Sequence, residues 1–284
     1  MQNRLPFLGW NCRNGCVDLD GSRMDYVSFG RGNKTLILLP GLSDGLATVK
    51  GKAWILAVPY RDFFRSYTVY MFSRKDPMPR GYTIRGMADD MASAMDRLGI
   101  RSASVLGVSQ GGMIALMLAA DHPDKVEKLV LAVTADRCTD TARQRLQHWI
   151  RMSEHNDHKG LMIDTAENSY SDRYLKRYRR IYPVIGLIGK PKDYGRFLIN
   201  AEAILKFDAT EDTGSISCPT LIIGGEEDRI VGIEASRELH DSIRGSRILI
   251  YPGLGHAAYE EAADFNSRVL HFLKEGDTDV GFDN

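Results

Sequence analysis

Short apolar runs alternate along most of the chain with segments whose apolar residues recur every three or four positions. Residues 35–40 (TLILLP), 67–72 (YTVYMF), 102–108 (SASVLGV), 128–133 (KLVLAV), 219–225 (PTLIIGG) and 247–251 (RILIY) read as buried strands. Met87, Met91, Met95 and Leu98 share one face of a helix predicted over 84–98. A second, strongly apolar helix is predicted from Gln110 to about Ala120. His122-Pro123 stops it, because proline cannot continue a helix. Further helices are expected over 233–243 and 258–273. Continuous apolar strands separated by helices imply an α/β fold, a mostly parallel, doubly wound sheet covered on both faces.

The rhythm breaks between about 135 and 213, where no strong strand occurs and the segments are helix-like and rich in Arg, Tyr and His. The expected organisation is a core made of 1–134 and 214–284, interrupted by a helical insertion at 135–213. Within the insertion, Tyr170, Tyr174, Tyr178 and Tyr182 repeat every four residues beside Arg173, Lys176, Arg177, Arg179 and Arg180. That pattern predicts an amphipathic helix with a solvated basic outer face and a tyrosine face roofing the site below. A basic roof that selects carboxylate-bearing substrates is the alternative, and nucleic acid is the weakest reading. The acidic stretch from Glu275 onward is expected to fray.

Composition narrows the class. Of 284 residues, 43% are hydrophobic and 26% charged, which is ordinary globular usage. Lys plus Arg and Asp plus Glu number 37 each, so no global charge draws the chain to nucleic acid or to an anionic membrane. The apolar run 113–120 is too short to span a bilayer, and the start MQNRLPFLGWNC lacks a signal-peptide pattern. A soluble, cytoplasmic protein is therefore expected, with a small-molecule substrate, no nucleic-acid or membrane partner, and a homodimer left open. The four cysteines, Cys12, Cys16, Cys138 and Cys218, form no CxxC pair and read as free thiols. Residues 45–52 (GLATVKGK) fail as a phosphate-binding loop, and no GxGxxG follows a strand. No cofactor and no metal are expected.

Gly107-Val108-Ser109-Gln110-Gly111 satisfies G-x-S-x-G. Alone the pentad is weak; its position between a buried strand and an apolar helix gives it force. Such a junction needs a tight turn that lifts the Ser109 hydroxyl out of the sheet edge, with glycines where a Cβ would meet backbone. A plain helix cap would not need them. Serine needs a base to take its proton. Of seven histidines, His256 lies just past the last strand, at the edge where strand C-termini gather ligand-binding loops. The base needs a carboxylate, and Asp228 follows the strand 219–225 at the same edge, with Asp136, Glu226 and Glu227 as alternatives. Two backbone N–H groups are required for an oxyanion, and Leu42 and Gln110 are placed to supply them.

Together GVSQGG, PGLSDG, GGEEDRIVG and PGLGHAAYEE resemble the α/β-hydrolase superfamily, over about 30–135 and 214–273. The nearest flavour is the small bacterial esterase and lactonase branch, which includes enol-lactonase-like enzymes. The resemblance implies the α/β-hydrolase fold, the triad Ser109, Asp228 and His256, and a helical cap formed by the insertion. One departure is Pro40-Gly41 where many relatives have His-Gly; the N–H of Leu42 is retained. The expected activity is hydrolysis of a carboxylic ester or lactone through an acyl-enzyme on Ser109. Acyl transfer to another acceptor or C–C bond hydrolysis with the same triad is the runner-up, and a ligand-binding receptor with little turnover the outside reading.

Overall fold

The computed structural model describes residues 10–186 and 189–275. Eight strands form one sheet in the order β1-β2-β4-β3-β5-β6-β7-β8. They are β1 (Arg13–Leu19), β2 (Ser22–Gly30), β3 (Lys34–Leu39), β4 (Tyr67–Phe72), β5 (Ala103–Val108), β6 (Val126–Ala132), β7 (Thr220–Gly225) and β8 (Arg247–Tyr251). From β4 through β8 neighbouring strands run parallel, and β1 and β2 extend the sheet antiparallel. The central strands β5 and β7 are buried at every position, as parallel strands covered on both faces must be.

The sequence pattern did not single out β1 and β2. Their pairing puts Leu19 opposite Ser22, leaving a two-residue loop of Asp20 and Gly21 with φ of 51° and 92°. Positive φ at both loop residues is what a tight hairpin of this type requires, and Asp-Gly supplies it most readily. That signal was present in the chain; the strands themselves are polar enough at an edge to hide the apolar pattern.

The helices are α1 (Ala53–Ala57), α2 (Ile84–Arg97), α3 (Gln110–Asp121), α4 (Asp140–Glu154), α5 (His158–Ser169), α6 (Asp172–Tyr178), α7 (Tyr182–Ile185), α8 (Gly195–Leu205), α9 (Ile233–Ser242), α10 (Ala258–Glu261) and α11 (Phe265–Lys274). Helix α3 is buried from Gln110 through Ala119, which explains why its sequence is apolar on all sides. Between β6 and β7 the chain leaves the sheet for α4 to α8. Thr139 opens α4 by accepting from Ala142 N and ties it to the core by donating to the Val231 carbonyl.

Two expected helices are broken. The final one divides at Ala262, whose extended backbone separates α10 from α11. The tyrosine helix is interrupted at Ser171, because its N–H and hydroxyl both bind Glu261 and its hydroxyl accepts from Tyr174 N to start α6 afresh. The rings of Tyr170, Tyr174 and Tyr178 still stack, at 4.5 and 4.2 Å between successive centroids. The acidic tail at 276–284 and the start at 1–9 lie outside the described residues. No helix among the described residues is long and apolar enough to cross a membrane.

Candidate active site

The turn between β5 and α3 holds Ser109 at φ 54°, a left-handed conformation that costs a non-glycine residue about 1–3 kcal/mol. Its neighbours show why the turn can be so tight. A Cβ on Gly107 would meet the Gly111 carbonyl oxygen at 2.3 Å, and one on Gly111 would meet the Leu39 oxygen at 1.9 Å. The backbone is pinned from both sides: Ser109 N donates to Ala132 O at 2.9 Å, and Thr134 Oγ1 donates to Ser109 O at 2.7 Å. Val133, beside Thr134, is itself held at φ 46°, an outlier for a β-branched residue. Two strained residues thus stand at the C-terminal ends of adjacent strands.

His256 follows β8 and Asp228 follows β7, so both reach the same edge of the sheet. His256 Nε2 lies 2.9 Å from Ser109 Oγ, and His256 Nδ1 lies 2.8 Å from Asp228 Oδ2. Asp228 can only accept, so the network assigns the imidazole proton to Nδ1 and leaves Nε2 to accept from the serine hydroxyl. The other oxygen of Asp228 accepts from Ile230 N at 2.8 Å and Val231 N at 3.0 Å. Burial alone pushes the Asp228 carboxyl up, but attraction to His256 and these hydrogen bonds outweigh it and hold the group below its ordinary value. The loop carrying His256 rests on α5, through Ala257 N donating to the Ser169 carbonyl at 2.9 Å.

The alternative carboxylates are elsewhere. Asp136 is buried but held by Arg137 at 3.0 Å; burial raises its carboxyl more than Arg137 lowers it. Glu226 accepts from Gly253 N, and Glu227 is half exposed beside Arg229. The other histidines are distributed: His122 pairs with Asp89, His240 with Ser246, and His155 with the Arg151 carbonyl. Among the described residues no three His, Cys, Asp or Glu side chains gather to hold a metal. The four cysteines are free.

Leu42 begins the short turn after β3, and its neighbour Gly41 stands against Ser109: a Cβ there would lie 3.2 Å from Ser109 Cβ. Leu42, Ser109, Gln110 and His256 all line one cavity of about 120 Å³. Larger hollows, about 240 Å³ beside Ile84 and Lys206 and about 340 Å³ beside Lys128 and Arg244, hold none of these four residues. The roof is formed by Ala142, Leu146 and Trp149 of α4, Thr165 and Ser169 of α5, and Ile204 of α8. The tyrosines of α6 do not line it, contrary to the expectation from their spacing. Tyr170 turns its hydroxyl to Glu260 instead.

Sequence reasoning also missed a buried polar cluster behind the turn that carries Leu42. Arg74 Nη2 donates to Pro40 O at 2.6 Å and to Gln110 Oε1 at 3.0 Å. Gln110 Nε2 donates in turn to Asn200 Oδ1 at 2.9 Å. Asp44 accepts from Arg74 N at 3.0 Å and from Arg196 Nη2 at 2.6 Å. Burial pushes the Arg74 guanidinium down from its ordinary value, Asp44 opposes that, and Arg196 reinforces it. In the sequence Arg74 is one basic residue in the loop SRKD, and nothing local marks it.

A family model described as alpha/beta hydrolase fold matches residues 70–263. RutD of Caulobacter sp. (strain K31), provisionally named a carbamate hydrolase, is 30% identical over 200 residues, covering 68% of this chain and 73% of RutD. Among solved structures, MGS-M2, an alpha/beta hydrolase enzyme from a Medee basin deep-sea metagenome library, superposes with a TM-score of 0.83 at 19% identity, covering 94% of this chain and 99% of that one. The enol-lactonase from Burkholderia xenovorans LB400 does so with a TM-score of 0.78 at 24% identity, covering 92% of this chain and 100% of that one.

Proposed function

The chain belongs to the α/β-hydrolase family, and from that premise we propose that it is a serine hydrolase that cleaves a carboxylic ester or lactone of a small molecule. The observation that carries the reading is the continuous series from Ser109 Oγ through His256 to Asp228, at 2.9 and 2.8 Å, with Ser109 and His256 in the wall of an apolar cavity.

In this reading Ser109 Oγ attacks the substrate carbonyl while His256 Nε2 takes its proton, and Asp228 stabilises the imidazolium. The N–H groups of Leu42 and Gln110 donate to the oxyanion of the tetrahedral intermediate. His256 then returns the proton to the departing alkoxide, leaving an acyl group on Ser109. A water molecule, deprotonated by His256, attacks that acyl group and releases the acid. In a lactone the alcohol and acid parts remain one molecule, and the steps are the same. Carbamates follow them too, and the likeness to RutD favours including carbamate esters among the substrates tried.

Labelling with a fluorophosphonate, wild type beside Ser109→Ala, tests the reading, followed by a panel of p-nitrophenyl esters, lactones and carbamates. Labelling confined to the wild type, with hydrolysis of at least one class, is the expected result. A folded wild type that takes no label would overturn it. Product analysis in the presence of alcohols separates transfer to water from transfer to another acceptor.

A further inference from the structure

The basic residues of the inserted helices raise the question of a carboxylate-bearing substrate, and the cavity beside Ser109 answers it. Its walls are Met113 below, Leu146 and Trp149 from α4, Ile204 from α8, and Ile230 and Val231 from the loop after Asp228. Among the described residues no Lys, Arg, Asp or Glu lines it. Three cations of the inserted segment are engaged elsewhere: Arg145 with Asp164 at 3.2 Å, Arg179 with Glu167 at 2.7 Å, and Arg196 with Asp44 at 2.6 Å.

Four polar side chains at the wall are turned away as donors. Trp149 Nε1 donates to Asp164 at 2.7 Å. Thr165 Oγ1 donates to the Leu161 carbonyl at 2.7 Å, and Ser169 Oγ to the Thr165 carbonyl at 2.6 Å, both within their own helix. The Gln110 carboxamide donates to Asn200 and accepts from Arg74, behind the cavity. A substrate carboxylate placed here would lose its hydration and meet neither a countercharge nor a side-chain donor from the roof.

Size sets the second limit. The cavity beside Ser109 has a volume of about 120 Å³, and an apolar cavity of about 150 Å³ admits benzene. We infer that the group seated beside Ser109 is a short, uncharged, apolar acyl chain or small lactone ring of about six heavy atoms or fewer. This specificity rests on the serine-hydrolase reading, and Leu146 is its principal determinant on the roof.

The test is kcat/KM for p-nitrophenyl acetate, butanoate, pentanoate, octanoate and decanoate, with p-nitrophenyl hemiglutarate as the anionic match to pentanoate. The expected profile peaks at butanoate or pentanoate and falls by about 10-fold or more at octanoate, since a misfitted methylene in an apolar pocket costs about 10-fold or more. The hemiglutarate should be poorer than pentanoate by about 100-fold, from the unpaired buried charge. Leu146→Ala should move the optimum toward octanoate, and Ile230→Ala serves the same purpose should the first variant fail to fold. A profile level through decanoate, or hemiglutarate cleaved as fast as pentanoate, would overturn the inference while fluorophosphonate labelling of Ser109 kept the serine reading intact. Absence of both labelling and hydrolysis would overturn the two together.

Discussion

The guanidinium of Arg74 donates to the side-chain oxygen of Gln110 across 3.0 Å, beneath the turn on which Ser109 stands. The same nitrogen holds the Pro40 carbonyl, two residues before Leu42. One buried cation therefore spans both stretches of backbone proposed to donate to the oxyanion. Arg74→Met removes the brace but keeps most of the volume. Its kcat should fall by about 100-fold, the effect of misplacing reacting groups by about 1 Å, with KM changed far less. Arg74→Lys should not restore kcat, because an ammonium cannot reproduce the planar fork. Steady-state kinetics on all three proteins checks this; a proportional rise in KM would assign Arg74 to substrate binding instead.

Two buried aspartates stood as candidates to orient His256, and only Asp228 touches it. Asp228→Asn should lower kcat by on the order of 10⁴, because the amide favours the wrong imidazole tautomer. Asp136→Asn should leave kcat close to wild type. Equal losses in the two variants would contradict the contact between His256 and Asp228.

Ser109 occupies left-handed backbone for the sake of its hydroxyl's position. Ser109→Gly should abolish hydrolysis yet raise stability by about 1 kcal/mol, the lower end of the strain stored at such a residue. For a chain of 284 residues that is a rise in Tm of about 2 °C. Thermal unfolding of the variant beside wild type and Ser109→Ala decides it: the alanine variant keeps the strain and should gain nothing.

The depressed carboxyl of Asp228 gives a pH signature. Its folded value lies below its unfolded one, so its stabilisation is fully present above about pH 5 and is lost as the pH falls below about 4 toward the folded value. The difference in unfolding free energy between wild type and Asp228→Asn, measured in denaturant from pH 3 to 7, should be level at the upper end and shrink at the lower. A difference that grew on acidification would mean that Asp228 is not held as a paired carboxylate.

Much of the fold was legible because parallel, fully buried strands leave an unbroken apolar signal. The runs at β3 through β8 and the apolar α3 follow directly from it. Ser109 was legible for a related reason: a strand that turns at once into a helix here tolerates only glycine two residues to either side of Ser109, and the close approaches at Gly107 and Gly111 show the constraint in distances. The antiparallel β1 and β2 were less legible because the edge position of β1 relaxes its pattern, leaving Asp20-Gly21 to announce the hairpin.

The insertion read poorly for the opposite reason. A four-residue repeat of tyrosines fixes which side chains stack, but it does not determine what they stack against, and Ser171 bound to Glu261 turns that surface toward Glu260. The face that does line the cavity, Ala142, Leu146 and Trp149, carries the ordinary i, i+4, i+7 spacing of any buried helix.

By itself the sequence determined the parallel strands β3 through β8, the strained turn, and Ser109 and His256 as candidate nucleophile and base, since these depend on local backbone limits and on the order of elements along one sheet edge. Tertiary structure alone decided which aspartate meets His256, what volume is left beside Ser109, and that Arg74 and Gln110 meet at all. Those depend on distances between segments far apart in the chain, and no local pattern of residues encodes a distance of that kind.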